Sequence, residues 1–185
     1  NELSDFIDTR LINFFTKLNY IPITISNFYN NPDIFLNSFK FSAIILTGGN
    51  DIGKFPRRDK LENNLIKYSI RKKVPLLGIC RGMQMINRFF KGKLVKIDNH
   101  VKVKHLILNV KSKKKLVVNS YHNYAIYEKT MHKNLLVLHR CFKDNSIESF
   151  KHKKHKILGI MWHPEREKKF KDFDKKLKKN FIKND

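Results

Sequence analysis

The stretch LLGICRGMQ, Leu76 to Gln84, sets one cysteine between two glycines directly after an apolar run. A G-x-C-x-G corner between a strand and a helix is a place to hold a nucleophile: the glycines permit a sharp turn and close backbone approach. The N–H groups of a helix starting at Arg81 would point at the Cys80 sulfur, which predicts a lowered thiol pKa. Such a thiol needs a base, and GIMWHPERE (159–167) supplies a candidate. A strand leads to His163, Pro164 prevents helix there, and Glu165 lies two residues on, so in extended chain its carboxylate can orient the imidazole. In LTGGND (46–51) the Gly49 N–H, paired with that of Arg81, can form an oxyanion hole. The chemistry implied is acyl transfer through a thioester. Taken singly, each motif also has a plain reading: a core cysteine, a surface histidine, a loop turn.

The elements that must position these groups follow from periodicity. Ser4 or Asp5 caps a helix through Ile7, Leu11, Phe14 or Phe15, and Leu18; YIPITIS (20–26) reads as a strand. Asn31 and Pro32 open a second helix, FSAIILTGG (41–49) and VPLLGI (74–79) are buried strands, and 58–73 and 81–90 are helices. Helix and strand alternate to residue 90, the mark of a parallel sheet covered by helices. Six short strands follow between 91 and 161, expected to pair largely antiparallel. The fold class is therefore α/β: a mostly parallel open sheet flanked by helices, with an antiparallel extension. We expect one domain over 1–185, a closing helix burying Phe170, Phe173, Leu177 and Phe181, and an apolar strand upstream of Asn1.

With 39 Lys plus Arg against 16 Asp plus Glu, the formal charge is +23. Such a field attracts anions. Much of it lies in KSKKK (111–115), KHKKHK (151–156) and 168–183, which read as hairpin tips and a solvated helix face. The basic runs lack interleaved aromatics and there is no helix-turn-helix pattern, so nucleic acid is not the expected partner. No apolar run reaches membrane-spanning length and no signal peptide is seen. Two cysteines give no disulfide framework, which suits a cytoplasmic setting. No finger or zincin spacing occurs, and we expect neither metal nor other cofactor.

Together, the glycine pair, the G-x-C-x-G corner and the strand ending in His-Pro-Glu resemble the class I, or triad, glutamine amidotransferases. The resemblance implies Cys80, His163 and Glu165 as catalytic triad and Gly49 and Arg81 as oxyanion donors. LTGGNDIG, GICRGMQMIN, VNSYHNYAI and DNSIESF look more like the γ-glutamyl hydrolase branch of that family. That branch cleaves a γ-glutamyl amide to glutamate and an amine product, and one subgroup works in bacterial capsule synthesis on a CDP-linked phosphoramidate. The resemblance implies Gln84, Ser120 and Tyr121 as substrate contacts. His122 is a pocket residue or a hairpin histidine bonded to backbone, and Glu148 an anchor of the last hairpin or an exposed strand residue. His100, His105 and Cys141 read as structural. Arg57, Arg58 and Arg81 are candidates for a substrate phosphate. The alternative is a glutaminase subunit feeding ammonia to a separate synthase.

Overall fold

A computed structural model describes residues 4–29 and 31–167. The helices are α1 (Thr9–Lys17), α2 (Pro32–Asn37), α3 (Pro56–Lys72) and α4 (Arg81–Phe89). The strands are β1 (Ile44–Leu46), β2 (Leu76–Ile79), β3 (Val95–Lys96), β4 (Val101–Asn109), β5 (Lys115–Tyr121), β6 (Tyr124–Ala125), β7 (Leu135–Cys141), β8 (Ile147–His152) and β9 (Ile157–Ile160). Seven strands form one sheet in the order β1-β2-β9-β8-β7-β4-β5; β3 and β6 make a separate ribbon. β1, β2 and β9 are parallel, and every pairing from β9 outward to β5 is antiparallel. The expected α/β class and antiparallel extension are both present.

Alternation along β2 explains the layering. Leu76 faces a core shared with Leu61, Leu65 and Ile66 of α3 and Met83 and Ile86 of α4. Leu77 and Ile79 point the opposite way, onto Leu11, Phe14 and Phe15 of α1. Each such side chain contributes about 2 kcal/mol when fully buried, so β2 is held from both faces. Asn31 caps α2, accepting from the Asp33 N–H at 3.2 Å, with Pro32 as first helical residue, as its sequence predicts. The basic stretches 111–115 and 151–156 do fall at the β4–β5 and β8–β9 turns.

Two expectations fail near the start. The cap of α1 is Asp8, whose carboxylate accepts from the Arg10 N–H at 2.9 Å; Asp5 instead bonds Ser26 and Asn27, leaving Ile7 outside the helix. Residues 20–26 form no strand: Ile21 and Ile23 are 90% and 52% exposed. A strand exists only where a neighbour takes up its N–H and C=O groups, and no described strand lies alongside. The helix expected over Phe170 to Phe181 lies outside the described residues; before it, Pro164–Arg166 form a single 3-10 turn.

Candidate active site

Cys80 lies between β2 and α4 with φ 50° and ψ −105°, a left-handed conformation unusual for a residue with a side chain. The turn is this sharp because its flanks have no Cβ. At Gly82 a Cβ would collide with the Leu46 carbonyl, and at Gly78 with the backbone of Gly82. The helix therefore packs directly on β1 and β2, and the Arg81 N–H points at the sulfur. The expected lowering of the thiol pKa is overturned. Burial pushes it up to about 12; the Arg81 N–H works in the other direction but loses, and the Glu165 carboxylate raises it further. A helix start stabilises a thiolate only to the extent that solvent or a cation shares the task.

β9 runs parallel beside β2, with Ile79 opposite Ile160 and the Cys80 N–H donating to the Ile160 carbonyl at 2.7 Å. Cys80 and His163 thus leave neighbouring strands at the same carboxyl edge, where open α/β sheets place their sites. The His163 Nδ1–H donates to Glu165 Oε1 at 2.6 Å, and both side chains are almost fully buried. Such a bond fixes the tautomer that leaves Nε2 free to take a proton. Gly48 lies flat against the imidazole: a Cβ there would sit 2.6 Å from Cε1. The Tyr121 ring meets His163 edge-on at 5.7 Å between centroids.

Gly49 has φ 142° and abuts the Arg58 guanidinium. That guanidinium donates to the carbonyls of Thr47 and Gly48, each at 2.9 Å, and to Glu62 Oε1 at 2.9 Å. Arg58 therefore buttresses the glycine loop from below and is not free to hold a phosphate. Arg81 is likewise withdrawn, its side chain 2% exposed and ion-paired with both Glu62 and Asp59. Only Arg57 of the three candidates is exposed, with its guanidinium 4.4 Å from the Phe28 ring centroid.

Gln84 is buried one turn after Cys80, and its Nε2 donates to the Tyr124 carbonyl at 3.2 Å. Ser120 is buried with its hydroxyl donating to the His100 carbonyl at 2.6 Å. His122 is bonded to backbone, its Nδ1 3.0 Å from the Tyr124 carbonyl, and Glu148 is fully buried and not an exposed strand residue. Cys141 is a core residue of β7. One residue that sequence reading passed over is Asn119, which bonds both backbone groups of His163. Its neighbours in VNSYHNYAI drew attention, but an asparagine within a strand pattern carries no signal of a partner 44 positions away.

The sequence and the fold both have counterparts among known proteins. The chain belongs to the class-I glutamine amidotransferase family, whose model matches residues 3–184. It is 44% identical over 132 residues to the γ-glutamyl-CDP-amidate hydrolase of Campylobacter jejuni, a match covering 68% of this chain and 62% of that protein. It is 32% identical over 95 residues to the carbamoyl phosphate synthase small chain of Aquifex aeolicus, covering 51% of this chain and 26% of the other. Among solved structures, a GMP synthase-type protein of Thermoplasma acidophilum superposes with TM-score 0.75 at 20% identity, over 94% of this chain and 85% of that one. A glutamine amidotransferase of Thermotoga maritima gives 0.66 at 19% identity, over 84% and 69%. Both carry the same fold. Among the described residues no helix is long and apolar enough to cross a membrane.

Proposed function

We propose that this chain is a cysteine-dependent hydrolase of γ-glutamyl amides, working as a single amidotransferase-like domain on an anionic, CDP-linked γ-glutamyl substrate. The observation that carries the reading is the His163–Glu165 pair at 2.6 Å, set just after the strand that runs beside the strained Cys80 turn. Cys80 gives its proton to His163 Nε2 as the sulfur attacks the γ-carbonyl carbon. The oxyanion that forms is met by the N–H groups of Gly49 and Arg81. His163 then protonates the leaving nitrogen, the C–N bond breaks, and a γ-glutamyl thioester remains. Water, deprotonated by the same imidazole, attacks the thioester carbon; glutamate leaves and the thiol is restored. Glu165 keeps the imidazole oriented and stabilises its cation in both halves. Gln84, Ser120 and Tyr121 hold the glutamyl group in this reading.

The leaving group is argued from the Campylobacter relative, which is named as a γ-glutamyl-CDP-amidate hydrolase. The product would be cytidine diphosphoramidate, made in the cytoplasm for capsule decoration. With Arg58 and Arg81 committed to internal ion pairs, the pyrophosphate falls to Arg57 and the surface lysines. A second reading, a glutaminase subunit serving a separate synthase, draws on the likeness to carbamoyl phosphate synthase small chains. Glutamate release by the purified chain from glutamine and from γ-glutamyl-CDP-amidate, side by side, separates the two. Fast release from the nucleotide alone is expected, and it should vanish in Cys80→Ala. Release from glutamine only, or only after a second protein is added, would favour the glutaminase.

A further inference from the structure

Behind His163 the fold gathers three imidazoles and a carboxylate that the hydrolysis does not use. His100 precedes β4, His122 follows β5, His105 lies in β4 and Glu148 in β8. His122 Nδ1 lies 3.0 Å from the Tyr124 carbonyl, which can only accept, so Nδ1 carries the proton and Nε2 presents a lone pair. His100 Nε2 lies 2.7 Å from Asp144 Oδ2, so its proton is there and Nδ1 presents a lone pair. Those two lone pairs, His100 Nδ1 and His122 Nε2, face each other at 3.3 Å. The fully buried Glu148 adds Oε1 at 3.6 Å from His122 Nε2, and neither of its oxygens has a hydrogen-bond partner. With both imidazoles neutral, these three atoms are all acceptors, and in a dry interior their mutual repulsion favours a cation between them.

We propose that His100 Nδ1, His122 Nε2 and the Glu148 carboxylate are the ligands of a divalent transition-metal ion, zinc by preference. The three ligand atoms lie within 4.8 Å of one another. A tetrahedral ion with bonds of about 2.0–2.1 Å needs donors roughly 3.3 Å apart, close to the two spacings about His122 Nε2, 3.3 Å to His100 Nδ1 and 3.6 Å to Glu148 Oε1. Two imidazoles and a carboxylate suit zinc, and three protein ligands leave a fourth position open. Each histidine already has the outer partner such ligands use, a carboxylate on His100 and a carbonyl on His122. His105 Nε2, 3.3 Å from Glu148 Oε2, orients the carboxylate from its other side. The ion has a structural task. The Glu148 carbonyl accepts from Met161 N–H at 2.8 Å, and Tyr121, beside His122, packs on His163. Binding therefore ties β4, β5 and β8 together against the segment that carries the active-site histidine. Spacing along the sequence concealed the set, because its three ligands come from three separate segments.

The test is a cobalt(II) titration of the full chain freed of metal by chelation, with Cys80→Ala alongside to remove the active-site thiol. The expected result is one equivalent bound with the intense visible bands of four-coordinate cobalt, displaced by zinc, unchanged in Cys80→Ala and in Cys141→Ser. Glu148→Gln and His122→Ala, checked for folding by circular dichroism, should abolish the bands. Asp144→Asn, which touches only the outer partner, should weaken binding about 10- to 100-fold. No stoichiometric binding by the wild-type chain would overturn the proposal without reference to any variant. So would bands that survive in Glu148→Gln, or that disappear with either cysteine.

Discussion

Asn119 grips His163 by both ends of its backbone: Oδ1 accepts from the His163 N–H and Nδ2 donates to the His163 carbonyl, each at 2.8 Å. The same Nδ2 also reaches Glu167 Oε1 at 2.9 Å. An imidazole whose outer nitrogen is set by Glu165 and whose main chain is set by Asn119 has little freedom left. Asn119 is on β5, the strand at one edge of the sheet, while His163 follows β9, which pairs with β2 near the other. The sheet must curl for them to meet.

Asn119→Ala should therefore damage the site without touching the substrate. Two buried backbone groups lose their partners, at a cost of about 3 kcal/mol. The histidine also gains room to shift, and a displacement of about 1 Å can cost roughly 100-fold in rate. We expect a fall in kcat with KM nearly unchanged, and a lower urea midpoint. An increase in KM alone would assign Asn119 to substrate binding instead.

The pKa of Cys80 makes a sign-specific statement about pH. With the thiol held to about 12, only about one chain in 10⁴ carries the thiolate at pH 8. Iodoacetamide should label resting Cys80 slowly, about tenfold faster for each pH unit between 7 and 9, with no plateau. Stability follows the same proton. An unfolded thiol ionises near its ordinary value of 9.0, the folded one only near 12. Unfolding therefore releases a proton in that window, and stability contributed by the protonated thiol is lost as pH rises from 9 to 12, by at most about 1.4 kcal/mol per unit. Cys80→Ala should flatten that decline; a plateau in labelling by pH 7 would mean that a thiolate–imidazolium pair is already formed.

Gly82→Ala should be worse than an ordinary helix substitution. In a free helix alanine is favoured over glycine, yet here its Cβ would strike the Leu46 carbonyl. Relief requires α4 to lift off β1, carrying Cys80 with it. A loss of about 3 kcal/mol and of nearly all turnover is expected. Denaturation and single-turnover thioester formation would measure the two separately.

Glu62 carries two guanidinium groups, Arg58 from its own helix and Arg81 from α4. Glu62→Gln leaves both short of a counter-charge in the interior and should cost about 3–5 kcal/mol. Because Arg58 holds the Thr47 and Gly48 carbonyls, the glycine loop beside His163 should loosen at the same time. Arg57→Ala, by contrast, should leave stability alone and raise KM for a CDP-linked substrate most at low salt.

The parts legible in the sequence were those written locally. Asn31-Pro32 specifies its helix start within two residues, and the G-x-C-x-G turn between β2 and α4 needs only its own glycines. His163 and Glu165 meet as their spacing of two suggests, but by another route than the one expected: the 3-10 turn Pro164–Arg166, not extended chain, brings the carboxylate to the imidazole. What could not be read was set by partners far along the chain. Arg58 and Arg81 looked like phosphate ligands because charge is visible in a sequence and its neutralisation is not: Asp59 and Glu62 reach Arg81 only once α3 packs against α4. The thiol pKa runs opposite to the local expectation for a related reason. A helix start is a local feature, whereas burial at Cys80 depends on the whole core around it. Residues 20–26 had strand chemistry, but no described strand lies beside them to make it a strand.

The curl of the sheet also orders events in time. During synthesis β1, β2 and α4 are made well before β9, so the cysteine turn can form while the histidine has yet to emerge. Even with His163 made, its backbone is fixed only when β5 comes round to deliver Asn119. Until β9 pairs with β2, far along the chain, the Cys80 turn also lacks the Ile160 carbonyl that accepts from its N–H and the Leu158, Ile160 and Trp162 side chains that help to bury it.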